Sequence, residues 1–364
     1  MYKPSEIAIY IHWPFCKSKC PYCDFYKTLP ININQEEIIN EYIESLEKYY
    51  LLTVERSVKS VFFGGGTPSL IKAKNIEKII DFISSRWLVN NNIEITLEAN
   101  PNTHAQCLFT DLKKAGINRL SLGVQALNEN DLHFLGRSHN LQIARQCLEE
   151  VVKIYDNQSA DLIYARPEQN IAEWVRELEE ISSYGLKHIS LYQLTIEEGT
   201  VFARKNVQTL PEDKAIEMYN FTRDYLAEKN YRQYEVSNFA KKDFEAKHNL
   251  TYWQGGDYIG IGKSAHGRIC INGKHIATEY PFKHSELTAE ERAEELIIMG
   301  LRLNSGIDKQ NFHTICGIAF DDFINKENLQ KLKELKLVED STGNIRVTYD
   351  GMLLINHIVE ELCS

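Results

Sequence analysis

The chain has 364 residues, of which 43% are hydrophobic and 25% charged, with a formal net charge of -10. Composition of this kind excludes a disordered chain, and an acidic balance with no cluster of Lys and Arg argues against a nucleic-acid partner, since phosphate binding depends on such clusters. No stretch approaches the about 18 consecutive apolar residues of a spanning helix. The opening MYKPSEIAIYIHWPFC has neither the basic segment nor the cleavage site of a secretory leader, so a cytoplasmic protein of roughly two domains is expected.

In chain order, short runs of β-branched and aromatic residues recur through the first two thirds: IAIYIH (7–12), VKSVFF (58–63), IEITLEA (93–99), NRLSLGV (118–124), ADLIY (160–164) and HISLYQL (188–194). Each predicts a strand. Between them lie segments of helical period. Ile39, Tyr42, Ile43, Leu46 and Tyr50 share one helix face, and Ile76, Ile79, Ile80 and Ile83 share another. Strands that alternate with helices run parallel through right-handed crossovers, which leaves an open wound sheet or a partial barrel. The unusual residues fall at or just after the strands' carboxyl ends, the rim that carries the site in parallel α/β folds. The expectation is an α/β fold built on a partial (β/α)6 barrel.

From about residue 235 the Gly- and aromatic-rich YEVSNFAKKDFEAKHNLTYWQGGDYIGIGKSAHG predicts loops and short strands. TAEERAEELIIMGLRL then predicts an amphipathic helix, and the stretch from NLQKLKELKLVED to INHIVEEL reads as helix, hairpin, helix. That tail resembles a small winged-helix module, but its acidic charge suits packing or docking rather than DNA. The expected division is 1–235 as the barrel, 236–285 as a connecting region and 286–364 as a mostly helical C-terminal domain.

The segment CKSKCPYC places Cys16, Cys20 and Cys23 within eight residues. The other five cysteines, Cys107, Cys147, Cys270, Cys316 and Cys363, are scattered singly and predict small buried hydrophobes rather than a disulfide framework. Clustered thiolates suit zinc or an iron–sulfur cluster. A structural zinc needs four ligands, and His12 is the residue that would complete that set. A 4Fe-4S cluster held by three cysteines instead leaves one iron open to a small molecule.

CKSKCPYC resembles the Cys-x3-Cys-x2-Cys signature of the radical S-adenosylmethionine superfamily. The resemblance implies that Cys16, Cys20 and Cys23 hold a 4Fe-4S cluster whose open iron chelates the amino and carboxylate groups of S-adenosylmethionine. It also implies an external electron donor and reductive cleavage of the sulfonium to a 5'-deoxyadenosyl radical. Tyr10 and Tyr22 then fall among the cofactor contacts. In GGGTP, Gly65, Gly66 and Thr67 let the backbone approach the cofactor, as residues without a Cβ permit. Glu98, Gln125 and Asp161 offer acceptors for ribose hydroxyls or the ammonium, and Arg137 offers a fork for the carboxylate.

Taken with FFGGGTPSL, GVQALNENDLHFLGRSHN, DLIYARPEQ and YIGIGKSAHG, the string YIHWPFCKSKCPYCDF resembles the oxygen-independent coproporphyrinogen III oxidase family over essentially the whole chain. Two activities share that architecture: the decarboxylating oxidase and the heme chaperones of the HemW branch. The oxidase carries a further cysteine two positions after the third, where this chain has Phe25, and an N-terminal segment for which a strand starting near residue 7 leaves no room. HNLTYW (248–253) matches the HNxxYW motif of the chaperone branch. The resemblance therefore implies heme as cargo, with His248 a candidate axial ligand and Tyr252 or Trp253 stacking on the ring. It further implies acceptor hemoproteins, membrane respiratory enzymes among them, with peripheral contact at the membrane, and a homodimer. The rival readings are a coproporphyrinogen oxidase and a structural zinc protein. The chain departs from the family pattern at Ala165 and Arg166, where Gly-Leu is expected, with Glu168 following, and at Ala126, where Ser is expected.

Overall fold

The computed structural model describes residues 4–29, 32–101 and 105–364. Six parallel strands follow in order: β1 (Glu6–Trp13), β2 (Ser57–Gly65), β3 (Leu88–Ala99), β4 (Arg119–Gln125), β5 (Asn157–Tyr164) and β6 (His188–Gln193). Alternation along them sorts the side chains onto two faces. Ile7, Ile9, Ile11, Leu97, Leu120 and Leu162 lie fully buried under the helices, and each such side chain contributes roughly 1.5–3 kcal/mol when removed from water. The opposite face is polar. In register it carries Tyr10, Phe62, Thr96 and Arg119 in one row, and Glu98, Ser121, Ser159 and His188 in the next. An α/β partial barrel with a polar lumen results.

Five of the expected strands hold to within a few residues. The third begins at Leu88 rather than near Ile93, because Leu88 and Val89 already pair with Ser57 and Val58; the register shifts across the polar NNN run, and pairing resumes at Glu94 with Ser60. In the helix Gln35–Leu52, Ile39, Tyr42 and Leu46 are buried as expected, but Tyr49 is the fourth fully buried large residue while Ile43 and Tyr50 stay half-buried. Tyr49 meets Phe282 edge-on at 5.0 Å, and Tyr50 turns toward Trp87 at 5.2 Å. In the helix Ala73–Arg86, Ile80 is half-buried beside the fully buried Ile76, Ile79 and Ile83.

The sheet continues past the six strands on both sides. β8 (Asn238–Ala240) pairs antiparallel with β6, and β7 (Arg232–Gln233) pairs antiparallel with β8 at the edge. On the other side β9 (Tyr258–Ile261) pairs parallel to β1, and β10 (His266–Ile271), β11 (Lys274–Glu279) and β12 (Lys283–Leu287) follow as an antiparallel meander, giving twelve strands in all. The helix Lys247–Trp253 packs against β2 on the lumen side.

A second apolar core gathers Leu296, Ile297, Phe312, Phe320, Ile345 and Ile358. It is built from the helices Ala289–Gly300, Lys309–Cys316, Lys326–Glu334 and Ile355–Cys363 around β13 (Ile307–Asp308), β14 (Val338–Asp340) and β15 (Asn344–Val347). The expected helix, hairpin, helix corresponds to Lys326–Glu334, β14 with β15, and Ile355–Cys363. Among the described residues no helix is long and apolar enough to cross a membrane.

All eight cysteines are free thiols. Cys147, Cys270 and Cys316 are buried as expected, but Cys363 is half-buried and Cys107 exposed. Cys107 sits on the solvent side of the helix Ala105–Lys114, whose inward residues are Phe109 and Leu112.

Candidate functional site

The cysteine loop leaves the end of β1 and is tied down from three sides. Cys16 N–H donates to the Thr28 carbonyl at 3.1 Å, and Gly66 and Thr67 N–H donate to the Trp13 and Phe15 carbonyls at 2.7 and 2.9 Å. Pro21 packs against Gly136, where an added Cβ would fall 2.6 Å from its Cδ, and its carbonyl accepts from Phe202 N–H at 3.0 Å. The three thiols of Cys16, Cys20 and Cys23 stay half-buried and free. Burial pushes the Cys16 thiol up, partly offset by a hydrogen bond from Thr67.

Gly66 passes directly over this loop. A Cβ there would lie 2.9 Å from Cys16 Sγ and 2.9 Å from the Phe15 carbonyl oxygen, so the glycine is required by close approach. Gly65 adopts φ 106°, and its N–H donates to the Glu98 carboxylate. GGGTP thus meets the cysteine loop at Gly66 and the Glu98 carboxylate at Gly65.

Glu98 ends β3 on the lumen face. Desolvation and then the neighbouring Asp161 carboxylate push its pKa up to about 8. Burial also raises Asp161, although Ser121 donates to it at 3.1 and 3.3 Å and Ser190 bonds it too. Two carboxylates facing each other at a half-open mouth match a cationic ligand that also carries hydroxyl donors. Tyr10 lies on the same face, its hydroxyl 3.0 Å from His12 Nδ1. Gln125 follows a register shift at the end of β4 and is held at φ 72°, a conformation that a side chain adopts at a cost.

Arg137 does not present an open fork. It donates to Cys20 Sγ at 3.5 Å, to the Tyr22 hydroxyl at 3.4 Å, to the Gly123 carbonyl at 2.9 Å and to Asn100 Oδ1. Its charge thus sits beside the Cys20 sulfur. Asn100 bridges Arg137 to Thr67 at 3.4 Å, a role the sequence reading missed. Also missed were Ser121, Ser190 and the buried Arg119 inside the lumen. The signal was present as polar residues at alternate positions inside otherwise apolar strands.

His12, the residue that would complete a zinc set, has both ring nitrogens engaged elsewhere: Nδ1 with Tyr10 and Nε2 with the Tyr26 carbonyl at 3.2 Å. Among the described residues no three His, Cys, Asp or Glu side chains converge as a single metal ion requires. Three free thiols on one loop, an overhanging glycine and an adjacent guanidinium fit a larger polynuclear cluster instead.

His248 lies deeper than the rim. It is 4% exposed, its Nδ1 is 3.0 Å from the Ser60 hydroxyl, and its ring stacks on Phe62 with centroids 5.0 Å apart. Its own N–H donates to Glu94 at 3.1 Å. Burial pushes its pKa down to about 3. HNLTYW therefore closes the floor of the lumen, with Tyr252 beside Tyr258 and Trp253 at 6.4 and 4.8 Å.

The departures from the family pattern are structural. Ala165 takes φ 56°, where glycine is at ease. Arg166 is fully buried, paired with Glu177 and with Asp131 at 2.9 Å, and bonded to the Ile163 carbonyl at 2.7 Å. Ala126 is fully buried in an apolar cluster with Leu132, Leu135 and Phe202.

Comparison with known proteins identifies the family. The family model for the radical SAM superfamily matches residues 10–190, and that for the HemN C-terminal domain matches residues 287–354. The chain is 42% identical to heme chaperone HemW of Buchnera aphidicola subsp. Schizaphis graminum over 76% of this chain and 74% of that protein. It is 32% identical to heme chaperone HemW of Bacillus subtilis over 96% of this chain and 97% of that one. It also shares the fold of the Escherichia coli radical SAM enzyme coproporphyrinogen III oxidase (HemN), with a TM-score of 0.81 at 20% identity, covering 99% of this chain and 90% of that one. A radical SAM domain carries a 4Fe-4S cluster and S-adenosylmethionine. The chain belongs to the radical SAM superfamily, in the HemN-like branch whose members are named HemW.

Proposed function

We propose that this protein is a heme chaperone: it binds heme and passes it to acceptor hemoproteins, with a 4Fe-4S cluster and S-adenosylmethionine at the rim of the barrel. The observation that carries the reading is the floor of the lumen. HNLTYW seals it beneath Tyr10 with a set of aromatic rings, Phe62, Tyr252 and Tyr258, which suits a flat apolar macrocycle. Tyr192, 44% exposed, opens onto the same space from β6.

In this reading Cys16, Cys20 and Cys23 hold the cluster, which when bound supplies an electron to the sulfonium of the nucleotide. Arg137 compensates charge at Cys20 and fixes Tyr22. Gly65 and Gly66 bring backbone against the cofactor, Thr67 bonds Cys16, and Glu98 with Asp161 receives the cationic and hydroxyl groups of the methionyl and ribose moieties. Gln125 and Tyr10 complete the cofactor's surroundings. Residues 1–235 form the barrel unit, 236–285 bring the HNxxYW floor, and 286–364 form the C-terminal unit. The acceptors are hemoproteins, membrane respiratory enzymes among them, reached from the cytoplasm.

The test offers anaerobically reconstituted protein both hemin and coproporphyrinogen III. The expected result is hemin binding and transfer to an apo-hemoprotein, with no protoporphyrinogen formed. Sustained conversion of coproporphyrinogen would overturn the reading in favour of the oxidase.

A further inference from the structure

The same lumen poses a problem of coordination. An iron ligand needs a free imidazole nitrogen directed at open space, and although His248 Nε2 carries no hydrogen bond, the residue is only 4% exposed at the floor, with its ring face against Phe62 and Nδ1 on Ser60. His12 has both nitrogens engaged. So has His188, with Ser159 at 2.7 Å and Tyr234 at 2.9 Å. His275, paired with Cys270 on the same face, has Nε2 on the Ile315 carbonyl at 2.8 Å, and one further histidine stands on this face of the sheet.

That residue is His266, the first of β10. Tyr10 pairs with Gly260, and Tyr258 with Arg268. Stepping two residues along the antiparallel pair sets His266 opposite Gly260. Directly opposed residues share a face, so His266 stands on the lumen face in the row of Gly260 and Tyr10. The strands meet closely there, since a Cβ on Gly260 would fall 2.3 Å from the His266 carbonyl oxygen. Glycine also leaves that lumen position between Tyr10 and His266 without a side chain. His266 is exposed, and its ring makes no hydrogen bond, ion pair or ring contact with another described residue.

The surroundings suit an amphipathic macrocycle. Gly262 abuts the His12 carbonyl, which brings the turn before His266 against the end of β1, where the cysteine loop begins. There the Lys263 ammonium lies 5.2 Å over the Tyr26 ring, and Phe25 is 64% exposed beside it. Exposed aromatic rings next to a lysine give an apolar ring face and a partner for carboxylates at one edge of the barrel mouth.

We propose that His266, rather than His248, is the protein ligand to the iron of bound heme, with Phe25, Tyr26 and Lys263 forming the rim that receives the ring edge and its propionates. The inference rests on the heme-binding reading above and assigns its ligand. His248 then serves as a neutral part of the lumen floor.

Hemin titrated into the full chain tests this by optical and electron paramagnetic resonance spectra. His266→Ala is expected to lose the imidazole-type signature and weaken hemin binding by about tenfold or more, with free imidazole restoring the spectrum. His266→Cys is expected to gain a thiolate-type spectrum, a new signature that unfolding does not produce. His248→Ala is expected to keep the wild-type signature. Spectra of both His266 variants that match the wild type overturn the assignment and leave the chaperone reading intact. Failure of the wild type itself to bind hemin removes both.

Discussion

Gly66 lies so close to Cys16 that a single added methyl would sit 2.9 Å from the sulfur. The backbone after β2 and the sulfur after β1 therefore form one surface, and a cluster on that loop has the glycine as its wall. Gly66→Ala is expected to cut iron and sulfide incorporation severalfold while leaving secondary structure unchanged. Gly343→Ala, where nothing lies within 4 Å, is the matching control and is expected to load normally. Equal loading of both variants would show that the wall is not needed.

Glu98 gives the protein a pH dependence of definite sign. Its carboxyl titrates near 8 in the folded chain against 4.5 ordinarily, so the folded state holds a proton that the unfolded state releases over that interval. Stability of the cofactor-free protein contributed by this group is full below about 4.5 and is lost as pH rises through about 8. Glu98→Gln is expected to raise the urea midpoint at pH 8 and to change it little at pH 5. It is also expected to weaken S-adenosylmethionine binding. A gain that is larger at pH 5 than at pH 8 would contradict the assignment.

His248 acts in the opposite direction. Burial lowers its pKa to about 3 from 6.5, so its contribution is present above about 6.5 and is lost as pH falls toward about 3. His248→Gln keeps a polar group for Ser60 and removes the titration. Its unfolding midpoint is expected to fall less steeply than the wild type's between pH 6 and pH 4. Parallel curves for the two proteins would mean that His248 already carries its proton in the fold.

Arg166 tests whether the departure from the family loop is structural. Its side chain is fully buried and its partner Glu177 is 4% exposed, so truncation strands an unpaired carboxylate. Arg166→Leu is expected to cost about 3–5 kcal/mol in urea unfolding, and the double variant with Glu177→Leu to recover much of that. Additive losses in the double variant would show that the pair does not act as a unit.

Much of this site was legible in the sequence because its chemistry sits where strand periodicity ends. Cys16, Glu98 and Asp161 each occupy or follow a predicted strand on the lumen face. Gly65 and Gly66 mark a point where backbone must approach closely, which composition alone reveals. Arg137 was expected to offer a fork to the cofactor, but its attachment to Cys20 was not foreseen, since 117 residues separate them and only the fold joins them. His248 was legible as a motif, yet its depth was not, because burial of a short helix depends on the sheet above it. Short strands were expected in the connecting region, but the place of β9 to β12 in the barrel sheet was not, for a related reason. Their residues are polar on one side and glycine-rich at the turns, and they become part of the barrel sheet only by pairing with β1, far away in sequence.

The central claim is that three cysteines hold a cluster with an open iron at the mouth of a polar lumen. Iron and acid-labile sulfide analysis of anaerobically reconstituted protein, with the electron paramagnetic resonance signal of the reduced cluster recorded before and after S-adenosylmethionine is added, tests it most directly. The expected result is about four iron and four sulfide per chain with a signal that shifts on addition, and loss of both in Cys20→Ala at an unchanged melting temperature. One equivalent of zinc with no sulfide, or a Cys20→Ala chain that unfolds, would contradict it.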